Sequence, residues 1–276
     1  GARKVQDLSW KQLLDTYACT ECGRCEHYCP AYNTGKPLNP MMIIHNVKDA
    51  LKEQGAAVLK HGANSSTMLD LAGGVITNEE LWSCTTCGAC VANCPVFIEH
   101  VDTIIDMRRY LAFKADSVPQ ELANTYKNLQ QTSNPWGLSN SRRADWTDAL
   151  DFPIPTVADL GRAPAYLFFV GCAGSFDDRQ KKVTASFARI LSAAGIDFAI
   201  LGKDESCTGD TARRTGNEYL YWMQATKNIE TLEKYGIKII GTTCPHCFHT
   251  IARDYPQLGG HYEVIHHTQF IMDLIK

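Results

Sequence analysis

At 276 residues, with 45% apolar and 21% charged side chains, the chain has the make-up of a soluble globular protein with room for about two domains. Its net charge of -3 argues against nucleic acid as a partner, and the scattered basic pairs Lys181-Lys182, Arg108-Arg109, Arg142-Arg143 and Arg213-Arg214 read as solvated faces. No apolar run reaches the ~18 residues of a membrane span, and the N-terminal stretch lacks the apolar core of a signal peptide, so a soluble segment in a reducing, cytoplasmic setting is expected.

The first predicted element is a short amphipathic helix, Ser9 to Tyr17, with Ser9 as N-cap and Trp10, Leu13, Leu14 and Tyr17 as its apolar face. It leads into Cys19-Thr-Glu-Cys22-Gly-Arg-Cys25-Glu-His-Tyr-Cys29-Pro30. A second helix starts at Asn39 (N-cap) and Pro40, carries Ile43, Ile44, Val47 and Leu51 as a stripe, and is expected to stop at Gly55. Glu53 to Thr77 reads as loop or weak helix. Then comes a near copy of the first cysteine run, 65 positions on: Cys84-Thr-Thr-Cys87-Gly-Ala-Cys90-Val-Ala-Asn-Cys94-Pro95.

Three cysteines at i, i+3 and i+6, a fourth four residues later and a proline form the ligand run of a 4Fe-4S cluster. A tight loop brings three thiolates to three irons of one cube, and in two-cluster ferredoxins the fourth cysteine ligates the other cluster. On that rule cluster I takes Cys19, Cys22, Cys25 and Cys94, and cluster II takes Cys84, Cys87, Cys90 and Cys29. Gly23 and Gly88 stand where bare backbone can wrap close to sulfide. Zinc fits the pattern less well, because a third cysteine three residues on is redundant for one tetrahedron. A disulfide framework belongs to smaller, secreted chains.

Beyond Pro95, residues 101–113 place Ile104, Ile105, Arg108 and Leu111 at helical spacing, so residues 1–115 read as one helical domain. Residues 116–164 carry Pro119, Pro135, Pro153, Pro155 and Pro164 and read as a connector, apart from a helix over Gln120 to Gln131.

From residue 165 to 276 the pattern alternates between strand and helix. Tyr166 to Val170, Ile196 to Leu201, Ile237 to Ile240 and Tyr262 to Ile265 read as strands. Between them lie a helix over Asp177 to Ala194, with Val183, Phe187, Ile190, Leu191 and Ala194 on one face, and another over Asn217 to Tyr235, striped by Trp222, Ala225, Ile229 and Leu232. Gln269 to Ile275 closes the chain as a helix. Continuous apolar strands separated by helices imply an open parallel sheet. The expected fold is therefore α+β and multidomain, a helical two-cluster ferredoxin domain followed by an α/β domain. The remaining cysteines, Cys172, Cys207, Cys244 and Cys247, all fall just beyond the first three strands, at the edge where such sheets bind ligands. They make a third tetrad and leave none of the twelve cysteines over.

The two runs, followed by Cys172, Cys207-Thr208-Gly209 and Cys244-Pro-His-Cys247, resemble the iron-sulfur oxidoreductases related to heterodisulfide reductase. Their cysteine-rich CCG domain has the form Cys...Cys-Cys-Gly...Cys-x-x-Cys. Glu205-Ser-Cys-Thr-Gly-Asp-Thr-Ala-Arg-Arg-Thr-Gly-Asn217, Cys244-Pro-His-Cys-Phe-His249 and His266-His-Thr-Gln269 further resemble a branch that links flavoproteins to the membrane quinone pool. The resemblance implies the helical-ferredoxin fold of succinate dehydrogenase iron-sulfur subunits and a third iron-sulfur cluster on Cys172, Cys207, Cys244 and Cys247. It implies as donor a flavoprotein, electron-transferring flavoprotein or a dehydrogenase, as acceptor a membrane quinone or haem subunit, and a place at the inner face of the membrane. Members of the branch carry a membrane segment upstream and a second CCG half downstream, so a fragment, or a subunit completed by partners, is expected. Thr208 stands where the full motif has a second cysteine, which removes one thiolate from a five-cysteine noncubane site.

His246 and His249, beside the third tetrad, read as structural or solvent-facing in preference to bonding cluster sulfur or moving protons; His266 and His267, at the same sheet edge, are candidates for handling protons, and Arg213-Arg214 for offsetting cluster charge or clamping an anionic partner, or equally for surface salt bridging. Two functions follow from these readings. One is an electron-transfer component that passes single electrons from a flavoprotein through the first two clusters towards the third and on to quinone or haem, with its catalytic residues, if any, left open by the sequence. The other is a reductase subunit that cleaves a disulfide at the CCG site.

Overall fold

The structure, a computed structural model, describes residues 1–62, 69–114 and 117–276. The chain divides into two compact units, Gly1–Pro119 with Arg214–Asn217, and Gln120–Arg213 with Glu218–Lys276. The expected boundary at 115/116 and the middle of the expected Glu53–Thr77 loop lie outside the described residues.

The first unit is helical. In α1 (Trp10–Ala18) the Ser9 hydroxyl accepts from the Gln12 N-H and the Gln12 side chain accepts from the Ser9 N-H, a capping box. The buried face departs from the expected one: Leu13 packs against the core as expected, but Gln12, Asp15 and Thr16 point inward with it, while Trp10 is 76% exposed and Leu14 and Tyr17 are exposed too. Polar partners explain the departure. Gln12 Nε2 donates to Asp106 Oδ2 at 2.6 Å, and Asp15 accepts from the Glu99 N-H at 3.2 Å and from Lys11 Nζ at 2.7 Å. Buried polar groups with such partners are no longer costly to bury, and hydrophobic periodicity loses its authority.

Two one-turn helices follow, α2 (Arg24–His27) and α3 (Pro30–Asn33), and then the long α4 (Pro40–His61). Asn39 Oδ1 caps α4 by accepting from the Met41 and Met42 N-H groups. Gly55 does not stop it. A glycine in a helix interior costs only ~1 kcal/mol, against the burial of Ile43, Ile44, Val47 and Ala50 along the same helix. The terminator is Gly62, whose φ of 78° leaves the helix while its N-H still donates to Val58 O. The unit is completed by α5 (Asn78–Ser83), α6 (Ala89–Ala92) and α7 (His100–Leu111), whose helical spacing holds: Ile104, Ile105 and Leu111 are buried, and so is Arg108, read as part of a solvated pair, because its guanidinium donates to the Leu81 carbonyl.

The second unit begins with α8 (Gln120–Thr132) and α9 (Val157–Leu160). Residues expected as connector contribute to its cores: Leu129 and Val157 pack in one cluster with Leu167 and Phe169, and Trp146 in another with Phe168 and Phe187. The chain continues through β1 (Tyr166–Phe168), α10 (Gly171–Phe176), α11 (Asp178–Ala193), β2 (Phe198–Ala199), α12 (Asp210–Arg214), α13 (Glu218–Lys234), β3 (Ile239–Thr242), α14 (Pro245–His249), β4 (Glu263–His266) and α15 (His267–Ile275). Among the described residues the strands form one sheet in the order β2-β1-β3-β4, parallel throughout. Its register pairs Leu167 with Ala199 and Ile240, and Ile240 with Val264.

β1 and β2 are shorter than predicted, while β3 and β4 keep four residues each and lie two positions and one position further on; β1 ends where the chain turns into the site, and Val170, expected in it, donates its N-H to Glu205. The helix faces also rotate. In α11 Phe187 and Leu191 are joined in the core by Thr184 and Ala188, while Ile190 is exposed. In α13 Trp222 is 50% exposed, and the inward side adds Gln224 and Asn228, whose amides serve backbone carbonyls.

Candidate iron-sulfur sites

The two cysteine runs fold alike. In each, the residue before the second cysteine takes left-handed backbone (Glu21, φ 58°; Thr86, φ 54°) and so does the glycine after it (Gly23, φ 73°; Gly88, φ 75°). A one-turn helix, α2 or α6, then carries the third cysteine. Left-handed backbone at a non-glycine residue costs of order 1 kcal/mol or more. Among the described residues it occurs four times, at Glu21, Thr86, Phe97 and Ser133. Every one lies within four positions of a cysteine of these runs or against the third tetrad. The strain curls the loop so that N-H groups turn toward sulfur: the Thr86 N-H donates to Cys84 Sγ and the Ile98 N-H to Cys94 Sγ, both at 3.3 Å.

The thiols gather into two rings whose membership crosses between the runs. Cys19, Cys22, Cys25 and Cys94 line one cavity, and Cys29, Cys84, Cys87 and Cys90 line the other. Burial raises the thiol of Cys25 to about 11 and that of Cys90 to about 12, with neighbouring thiols adding to the effect, and burial raises Cys84 as well. Cys22, at the exposed rim, is lowered, chiefly by the Arg24 N-H. Crowded buried thiols repel one another as thiolates, so their charge needs a cation among them. Among the described residues no three His, Cys, Asp or Glu side chains sit close enough for a single metal ion. Four thiols around a cavity, one for each iron of a cube, with N-H groups aimed at sulfur, fit a 4Fe-4S cluster.

The third tetrad forms at the carboxyl edge of the sheet. Cys172 starts α10 just beyond β1, Cys207 follows β2, and Cys244 and Cys247 flank the first turn of α14 beyond β3. Cys172, Cys207 and Cys247 are buried and Cys244 half-buried. Gly171 has φ 75°, and a Cβ there would stand 3.0 Å from Cys247 Sγ, so the backbone must be bare to admit that sulfur. The thiols are paired by hydrogen bonds, which set their acidity: Cys172 is lowered by Cys207 and further by Arg143, while Cys207 is raised; Cys244 is lowered to about 6 by Cys247, while Cys247 is raised. Thr208 is 1% exposed, and its hydroxyl lies 3.9 Å from Cys247 Sγ.

The surroundings hold residues that sequence reasoning did not single out. Arg143, assigned to a solvated face, is 2% exposed. Its Nη1 donates to Glu205 Oε1 at 2.8 Å and its Nη2 to Cys172 Sγ at 3.3 Å. Glu205 also accepts the N-H groups of Val170 and Gly171, each at 2.9 Å. Ser133, left-handed, offers its carbonyl to Arg143 Nη2 and to the Cys207 N-H. Asn228 Nδ2 donates to the carbonyls of Ser206 and Cys207 and fixes the loop that presents Cys207. The Glu205-Ser-Cys207 string was a visible signal for Glu205, whereas an arginine in a polar run carries none.

Of the histidines, His246 Nδ1 meets Asp210 Oδ2 at 2.8 Å with its ring largely exposed, and the rings of His266 and His267 lie side by side, tilted 60° to each other with centroids 4.3 Å apart. Arg213 pairs with Glu218 at 2.6 Å and lies over the Tyr221 ring. The 4Fe-4S dicluster domain family matches residues 15–98, and the cysteine-rich domain family, CCG, matches residues 166–252. The chain is 43% identical, over its full length, to "Probable iron-sulfur-binding oxidoreductase FadF" of Bacillus subtilis, covering 44% of that protein. It is 38% identical, again over its full length, to "EtfAB:quinone oxidoreductase" of Syntrophomonas wolfei, covering 42% of it. To a dihydromethanophenazine:CoB-CoM heterodisulfide reductase polypeptide of Methanosarcina barkeri it is 30% identical over 99% of the chain, covering 66% of that polypeptide. The chain thus spans less than half the length of the first two relatives. No solved structure matches it.

Proposed function

We propose that this chain, which belongs to the iron-sulfur oxidoreductases related to heterodisulfide reductase, is an electron relay between a flavoprotein donor and a membrane quinone or haem acceptor. Cys19, Cys22, Cys25 and Cys94 would hold one cluster, Cys29, Cys84, Cys87 and Cys90 a second, and Cys172, Cys207, Cys244 and Cys247 a third. Bound four-iron clusters supply one-electron couples, and the protein sets their potentials through burial and hydrogen bonds to sulfur. The Thr86 and Ile98 N-H groups and the Arg143 guanidinium are the donors that do so here.

The observation that carries the relay reading is Thr208. A fifth thiolate at that position would bridge irons and open the cluster for two-electron work on a disulfide. A threonine hydroxyl stays protonated near neutral pH and is a poor ligand for iron, so the four thiols supply one ligand to each iron of a closed cube. Three of the four are buried as well, which suits electron transfer and leaves a bulky substrate little access. The flavoprotein donor and quinone acceptor are supported by the likeness to the EtfAB:quinone oxidoreductase. The setting is the inner face of the membrane; no helix of the described residues is long and apolar enough to cross it.

Anaerobic stopped-flow mixing tests the proposal. Reduced electron-transferring flavoprotein should bleach the cluster absorbance of this chain within its turnover time, and the chain pre-reduced with dithionite should leave a heterodisulfide intact. Rapid disulfide cleavage without a partner would establish the reductase reading instead.

A further inference from the structure

The third tetrad contains a fixed positive charge that ligand holding does not require. Arg143 is buried with every side-chain nitrogen engaged: Nε to Asn140 Oδ1 at 3.1 Å, Nη1 to Glu205 Oε1 at 2.8 Å, and Nη2 to both Ser133 O at 3.0 Å and Cys172 Sγ at 3.3 Å. Its guanidinium carbon lies 5.4 Å from the centre of the Phe176 ring. The Arg143 and Glu205 side chains are 1% and 2% exposed. Taking two charges out of water costs several kcal/mol per ion, and well-packed apolar groups in their place are often neutral or stabilising. Stability alone is therefore a weak reason for the pair, and the contact with the cysteine sulfur is the stronger one.

We propose that Arg143 is a positioning and tuning residue for the third cluster, raising its reduction potential. The inference rests on the reading that Cys172, Cys207, Cys244 and Cys247 hold a cluster. One-electron reduction adds a negative charge that spreads onto the ligating sulfurs. A cation 3.3 Å from one of them, in a buried and weakly screened setting, stabilises the reduced state more than the oxidised one. Glu205 opposes this from further off, and it also orients the guanidinium and the β1-α10 turn that presents Cys172. An arginine guanidinium is not deprotonated in proteins, so the charge is fixed. In the two ferredoxin rings the sulfur contacts described above come from neutral backbone N-H groups, which are weaker than charge-assisted bonds. The second ring also has a cation beside it, Arg108, whose Nη2 donates to the Cys84 carbonyl, so Arg143 is expected to set the third cluster's own potential and not the order of the three.

The test is a viologen-mediated redox titration of the anaerobic holoprotein, followed by paramagnetic resonance. The titrant loses one electron and the cluster gains it, with no bond broken. Arg143→Gln should lower the reduction equilibrium constant of the third cluster at least tenfold, about 59 mV for one electron, and leave the two ferredoxin signals in place. Arg143→Lys, which keeps the charge, should recover most of the shift. An unchanged potential in Arg143→Gln with the cluster intact would overturn the proposal. A second measurement needs no variant: protein grown with nitrogen-15 arginine should show a nitrogen coupling in the third cluster's pulsed signal, and its absence would equally overturn the proposal. Iron near eight per chain in the unmodified protein, with both ferredoxin signals present, would instead remove the reading on which the inference rests.

Discussion

Thr208 shows how much one side chain decides. Its hydroxyl is within 3.9 Å of Cys247 Sγ, and its carbonyl is held by the Tyr255 hydroxyl at 3.3 Å, so the position is rigid and already faces the tetrad. Thr208→Cys therefore places a fifth thiol at the cluster without moving backbone. It should change the cluster's paramagnetic resonance signal toward that of an opened, noncubane form; an identical signal would mean that Thr208 is not at a bridging position. Cys29 makes the matching case in the first unit. It lines a cavity with Cys84, Cys87 and Cys90 and not with its own run, so Cys29→Ala should perturb the spectrum of the cluster held by the second run. Damage confined to the Cys19 cluster would show that ligation is local. The cysteines were legible in the sequence because cluster chemistry imposes local spacing. The pairing of Arg143 with Glu205 was not, because the two are 62 positions apart and only the folded chain brings them together.

At the scale of elements, caps and terminators were easier to read than faces. Ser9, Asn39 and Asp177 cap the helices they were expected to start or adjoin, since a side-chain acceptor for free N-H groups is a local device. Which way α1 and α13 turn depends on partners elsewhere, such as Asp106 for Gln12 and the Leu129 carbonyl for Gln224, and periodicity cannot see them. The expected stop at Gly55 failed for a related reason: the residue interrupts propensity, but the apolar stripe of α4 outweighs it. Its φ is not left-handed, and an added Cβ would meet nothing within 4 Å. Gly55→Ala should accordingly stabilise the protein by about 0.5–1 kcal/mol. Chemical denaturation checks this directly, and a loss of stability would reveal a contact on that face of α4.

For the molecule as a whole, the alternation of strand and helix announced a parallel sheet, and the cysteine spacing announced three tetrads. What remained hidden was that residues 120–164 join the second unit's core, because scattered apolar residues among prolines show no period. The two units also differ in what would hold them together without iron. In the second, β1, β3 and long helices α11 and α13 carry their own buried apolar faces around the tetrad. In the first, the cysteine runs consist of α2 and α6, four residues each, and left-handed turns. Isolated helices shorter than about 12 residues are not stable in water, and the buried thiols of Cys25 and Cys90 repel the neighbouring thiols once ionised. Cluster binding and folding of those runs should therefore be one event. The anaerobic protein is expected to hold about twelve irons per chain as three four-iron clusters. On removal of that iron by chelation, hydrogen exchange should rise to the unprotected limit across residues 19–33 and 84–98. Helix α4, α7 and the sheet should keep most of their protection, because the cysteines are a minority of the buried apolar clusters these elements share. If protection of the two runs survives the loss of iron, their loops are held by packing alone and the clusters are passengers in a preformed scaffold.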